Sequence, residues 1–157
     1  MTIAFSPQAE EKFQKLLTRY PNTQAPLIMA LHLAQDEFGH VGKEVQAYVA
    51  KRLNLPPAFV QGVVSFYTMF REEPVGKYHV EICTNLTCEL RGSGGLVAHC
   101  ERKLGIKLGE TTADKKFTVQ EVECLAACGN APAIQINGEY HEDLTPAKLD
   151  QLLNELK

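Results

Sequence analysis

The stretch from Lys77 to Cys83, KYHVEIC, alternates Tyr78, Val80 and Ile82 with His79, Glu81 and Cys83. That period of two predicts a β-strand ending in a cysteine. Downstream, Leu96, Val97, Cys100 and Leu104 fall on one face of an expected helix from about Leu90 to Leu104. KFTVQEVEC, Lys116 to Cys124, reads as a second strand that also ends in a cysteine. AIQINGEYH, Ala133 to His141, is a hairpin signal, because Asn137-Gly138 suits the positive φ angles of a type I′ turn. Thr145-Pro146 opens a last helix with Leu149, Leu152, Leu153 and Leu156 on its apolar stripe.

The part before Lys77 has a helical rhythm. Ser6, Pro7 and the acidic pair Glu10 and Glu11 start a helix whose inner face is Phe13, Leu16, Leu17 and Tyr20, and Pro21 stops it. A second runs from Pro26 to Gly39 through Leu27, Leu31, Ala34 and Phe38. A third spans about Lys43 to Asn54 through Val45, Tyr48, Val49 and Leu53. A fourth is expected to bury Phe59, Val63, Phe66, Tyr67 and Phe70. The expected fold class is therefore α+β, with an N-terminal four-helix bundle over residues 1–74 and a β, α, β, β, β, α segment over 75–157. That element order, with a right-handed first crossover, is similar to a small thioredoxin-like sheet and helix layer.

At 157 residues and 45% hydrophobic content the chain has enough apolar material for one domain or two small ones. The net charge of −3 and the scattered basic residues argue against a nucleic-acid partner. The start, MTIAFSPQAEEKF, lacks a basic segment followed by a long apolar run, so an export signal is not expected. No apolar run approaches the ~20 residues of a membrane span. A reducing compartment follows as the expectation, where clustered cysteines bind metal more often than they pair.

Of the five cysteines, Cys83 and Cys124 stand at expected strand ends, and Cys88 and Cys128 in the loops that follow. If the two strands are parallel neighbours, both loops leave the same edge of the sheet and the two cysteine pairs converge. Four thiols suit zinc or an iron-sulfur cluster. The intervals of four and three residues between paired cysteines favour a two-iron cluster, which presents metal to its ligands at two positions. LRGSGG, Leu90 to Gly95, offers a cation in Arg91, close backbone approach, and a helix N-terminus to a polyanionic cluster. Glu89 and Glu123 oppose that field and are expected to point away. Cys100 reads as a core residue, and His32 with Asp36 as a surface contact one helical turn apart. No hydrolytic triad and no nucleotide-binding glycine motif is present.

GVVSFYTMF (62–70), CTNLTCELRG (83–92), ECLAACGNAP (123–132) and EDLT (142–145) together resemble the thioredoxin-like 2Fe-2S subunit of respiratory complex I, the NADH:quinone oxidoreductase. The resemblance covers nearly the whole chain. It implies a 2Fe-2S cluster held by Cys83, Cys88, Cys124 and Cys128, and docking on a flavoprotein subunit that binds FMN and NADH. It implies electron transfer with that flavin, no catalytic residue on this chain, and a cytoplasmic place at the inner face of the membrane through the complex. Ala126, Thr87 and His40 depart from the family's usual glycine, proline and aromatic residue. Pro132 stands where thioredoxin-like folds often carry a cis proline. Phe66, Tyr67 and Phe70 are expected mainly as core, or in part as flavoprotein contact. The alternatives are the equivalent subunit of an NAD-linked hydrogenase or formate dehydrogenase, a free-standing thioredoxin-like ferredoxin, and a structural zinc module.

Overall fold

The structure, a computed structural model, describes residues 3–156. Residues 1, 2 and 157, the outer ends of the two expected segments, lie outside the described residues. The chain divides into two compact units between Pro74 and Val75.

The first unit holds α1 (Pro7–Leu17), α2 (Leu27–Phe38), α3 (Lys43–Leu53) and α4 (Pro57–Phe66). Ser6 caps α1 by accepting a hydrogen bond from the Ala9 amide, with Pro7 at the first helical position. Gly39 closes α2 and Asn54 closes α3, both in the left-handed conformation that favours glycine and asparagine. The apolar stripes meet in one core that includes Phe13, Leu31, Val49, Leu53, Val60 and Phe70. α1 ends at Leu17, short of Tyr20, which packs partly buried from the turn that follows.

The fourth helix corrects the expected face. Its buried residues are Val60 and Val64, whereas Phe59 and Phe66 are exposed, Phe66 at 76%. α4 stops at Phe66, so Tyr67 and Phe70 lie beyond it; the Phe70 amide bonds the Tyr67 carbonyl in a turn that carries the Phe70 ring into the core. From Leu53 to Phe70 the sequence has no charged residue, and such a helix offers apolar side chains on every face. Periodicity alone then cannot choose the inward one.

The second unit contains β1 (Tyr78–Cys83), α5 (Leu86–Leu90), α6 (Ser93–Leu104), β2 (Phe117–Val122), β3 (Ile134–Ile136), β4 (Glu139–His141) and α7 (Pro146–Glu155). The sheet order is β2-β1-β3-β4, with β1 parallel to β2 and antiparallel to β3. Val80, Ile82, Val119, Ile134 and Ile136 share one core with Leu96 and Cys100 of α6 and Leu149 and Leu153 of α7. The helices thus cover the face that the alternation of KYHVEIC marks as apolar. Asn137 and Gly138 have φ angles of 50° and 91°, the positive values a type I′ turn needs, and the Ala131–Pro132 bond is cis.

Arg52 ties α3 to α1 by donating to both carboxylate oxygens of Glu10 at 2.7 and 2.6 Å, with its guanidinium 4.5 Å over the Phe13 ring. The bonds from Arg52, helped by Gln14, hold the Glu10 carboxyl down from its ordinary 4.5 to about 2. A depressed folded-state pKa contributes stability that is present above 4.5 and lost as pH falls toward about 2. Glu10 is partly exposed, so the contribution is under about 1 kcal/mol. We expect Glu10→Gln to melt below the wild type at pH 7, with the gap narrowing as pH falls from 5 to about 2, read by circular dichroism.

Candidate metal centre

β1 is paired along its whole length with β2, Tyr78 opposite Phe117 and Cys83 opposite Val122. Its other edge pairs with β3, which starts where β1 ends, Ile82 opposite Ile134. The Cys83 amide bonds the Ala133 carbonyl at 3.1 Å, and the Thr84 amide bonds the Val122 carbonyl at 3.1 Å. The segment after β2, which contains Cys124 and Cys128, therefore returns to β3 along the same sheet edge at which Cys83 stands. The parallel pairing of the two strands expected from the sequence is present, and it brings the two cysteine-bearing segments to the same end of the sheet.

Two local details differ from the sequence reading. β2 ends at Val122, so Cys124 lies two residues past the strand rather than closing it. The helix expected from Leu90 is two helices, α5 and α6, separated by Arg91 and Gly92, and Cys88 lies on α5 instead of in a loop. Asn85 caps α5, and Gly92 at φ 94° makes the turn between them. Cys128 opens a single 3-10 turn, Cys128–Asn130.

Cys83 and Cys88 are buried and pack with Ala131, with Val122 and Leu125 alongside, while Cys124 and Cys128 are exposed. Burial pushes the Cys88 thiol above the ordinary cysteine range. The adjacent Cys83 and Cys128 thiols push it further, against a backbone hydrogen bond from Ala133. Cys88 thus senses one cysteine from its own segment and one from the distant segment. The Ala126 amide lies 3.3 Å from the Cys124 sulfur, and Ala126 holds φ 58° to place it there. That is a left-handed conformation in which alanine carries a penalty of ~1 kcal/mol that glycine avoids. Among the described residues no three His, Cys, Asp or Glu side chains gather around a single metal position.

The start of α6 is not free for an anion, contrary to the expectation from LRGSGG. Glu89 accepts from the Ser93 hydroxyl at 3.0 Å and from the Gly94 amide at 3.1 Å, and so caps the helix. A Cβ at Gly94 would come within 3.2 Å of that carboxylate, so glycine there admits the cap. Glu89 is thereby turned onto the helix end. Arg91 instead reaches the second cysteine segment, its Nε donating to the Ala131 carbonyl at 3.3 Å. Leu86 and Leu90, 70% and 79% exposed, form an apolar rim on α5 that the thiol spacing did not indicate. Their i, i+4 relation was the available signal. Cys100, fully buried, has its thiol pushed up to about 11 by burial, as a core residue should. His32 packs its ring 5.0 Å from Phe70.

Residues 13–157 match the sequence model of the family described as thioredoxin-like [2Fe-2S] ferredoxin. The chain belongs to that family. It is 43% identical to an NADH-quinone oxidoreductase subunit of Rickettsia prowazekii, over 99% of this chain and 92% of the relative. It is 41% identical to the corresponding NADH-quinone oxidoreductase subunit of Rhizobium meliloti, over 94% of this chain and 88% of that one. Its fold superposes on a crystal structure of an NAD+-reducing [NiFe]-hydrogenase with a TM-score of 0.72 and 27% identity. That match covers 83% of this chain and 22% of the hydrogenase chain. The thioredoxin-like [2Fe-2S] family takes an iron-sulfur cluster as its cofactor, and thiols are the donors that such a cluster binds. Cys83 and Cys88 pack together on one segment and Cys124 and Cys128 lie on the other, the amides of Ala126 and Ala133 offer hydrogen bonds to two of the sulfurs, and Glu89, the acid of α5, is occupied at a helix end.

Removing the helix cap should be visible without any metal. We expect Glu89→Ala to cost about 1 kcal/mol locally. The check is amide hydrogen exchange of the first turn of α6, which should open roughly fivefold more often.

Proposed function

We infer that this chain is the electron-transfer subunit of an NADH-quinone oxidoreductase, with Cys83, Cys88, Cys124 and Cys128 as the ligands of a binuclear 2Fe-2S cluster. The observation that carries the reading is near-complete, two-sided coverage, at 43% identity, of a relative named as part of such an oxidoreductase. When bound, the cluster accepts and returns one electron at a time. The chain's own residues supply the rest. The thiols bind as thiolates, and the Ala126 and Ala133 amides offset part of their negative charge. Burial of Cys83 and Cys88 keeps water from that side of the site.

The partner in this reading is a flavoprotein subunit carrying FMN and NADH, as the resemblance of CTNLTCELRG and ECLAACGNAP to the complex I subunit implies. The helical segment, read as a four-helix bundle of residues 1–74, serves as the assembly module, and residues 75–157 carry the cluster. Exposed Phe66 on α4 is suited to that contact. No helix among the described residues is long and apolar enough to cross a membrane; in this reading the complex holds the chain at the inner face of the membrane. The hydrogenase similarity supports a second reading, the equivalent subunit of an NAD-linked hydrogenase.

Anaerobic reconstitution of the full chain should give a rhombic paramagnetic resonance signal on reduction. Alanine at any of the four proposed ligands is expected to abolish it and Cys100→Ala to keep it; a wild-type signal in Cys124→Ala refutes the ligand set. Purification of the chain from its own cells is expected to bring an FMN-containing subunit with it. Accompanying membrane subunits favour the quinone reductase, and a nickel-iron pair favours the hydrogenase.

A further inference from the structure

The side chain of Arg91 is the one charged side chain among the described residues that leaves the first cysteine segment and bonds the second; the Cys83 thiol also reaches across, to the Glu123 carbonyl at 3.9 Å. Arg91 sits three residues after Cys88, where α5 ends; its amide bonds the Thr87 and Cys88 carbonyls at 3.2 and 3.1 Å, which fixes the root of the side chain. Its Nε bonds the carbonyl of Ala131, a residue 2% exposed and packed directly with Cys83 and Cys88. Two residues further on, Ala133 is tied to both of the same cysteines, its carbonyl to the Cys83 amide and its own backbone to the Cys88 thiol. On the far side the same run is anchored by the segment before α7. There the Asp143 amide bonds the Asn130 carbonyl at 2.7 Å, the Leu144 amide bonds the Pro132 carbonyl at 3.2 Å, and Glu142 accepts from the Asn130 side chain at 2.8 Å.

The run from Asn130 to Ala133 is thus held from two directions, and the Arg91 side chain is the only charged group in the hold from the thiol side among the described residues. We propose that Arg91 is a positioning residue. Through the Ala131 carbonyl it sets the separation between the Cys83–Cys88 pair and the Cys124–Cys128 pair, and it brings a positive charge to the junction. A guanidinium suits both tasks, because it never loses its proton and donates in a fixed direction. A cation here favours the state of the site with one more negative charge, the reduced one, and so raises its reduction potential.

This inference rests on the four-thiolate reading, and two measurements on the full chain separate the two. Arg91→Met keeps the length of the stem without donor or charge, and Arg91→Lys keeps a charge and a donor. In the metal-free chain, Arg91→Met is expected to speed amide exchange across residues 124–133 several-fold, with Arg91→Lys close to the wild type. In the reconstituted chain, Arg91→Met is expected to shift the reduced-state resonance spectrum and lower the midpoint potential, and Arg91→Lys to restore both. Unchanged exchange, or an unchanged spectrum and potential in a loaded Arg91→Met, overturns the proposal. If Arg91→Met takes up no iron, faster exchange together with normal loading of Arg91→Lys supports it. A wild-type chain that loads no cluster defeats the four-thiolate reading instead, and the metal-free exchange then decides the tether alone.

Discussion

Strand β1 is hydrogen-bonded on both edges, parallel to β2 and antiparallel to β3, and its last residue is Cys83. Parallel pairing with β2 sends the chain out beyond Val122 at the end where Cys83 stands. Antiparallel pairing with β3 brings the chain back in at that same end. The run from Glu123 to Ala133, with Cys124 and Cys128 in it, joins these two points, which stand on either side of the end of β1. A one-residue slip of β1 against β2 would turn Val80 and Ile82 away from the core they share with α6 and α7. Burial of those two side chains therefore specifies the register, and the register specifies at which end of the sheet the two cysteine segments stand.

Spatial neighbours also decide the ends of α5 and α6. A cysteine five residues after another, an acid next to it, then arginine and glycines, reads at first as an anion-binding helix start. In the fold the acid takes the helix start for itself, and the arginine crosses to the other cysteine segment. Neither outcome follows from composition, since both side chains are long and rotate freely; the distance to Gly94 and to the Ala131 carbonyl decides.

The helical unit shows where periodicity suffices and where it fails. In α1, charged residues alternate with Ala9, Phe13 and Leu16, and the buried face can be read directly. In α4 no charge marks the outer face, and packing against the other helices selects Val60 and Val64 over the larger Phe59 and Phe66. Phe59 and Phe66 are left exposed on a helix without charge.

The sequence by itself determined the alternation in KYHVEIC, the Asn137-Gly138 turn, the helix caps at Ser6 and Thr145, and four cysteines grouped around two strand ends. These are local signals, set by backbone sterics and by side chains a few residues apart, so they survive without knowledge of the fold. Tertiary structure alone decided the inner face of α4, the end of β2 before Cys124, the break at Gly92, the capture of Glu89 by α6 and the reach of Arg91 over 40 residues to Ala131. Each depends on what stands opposite in space, and a linear sequence holds that information only through the pairing of strands and the packing of helices.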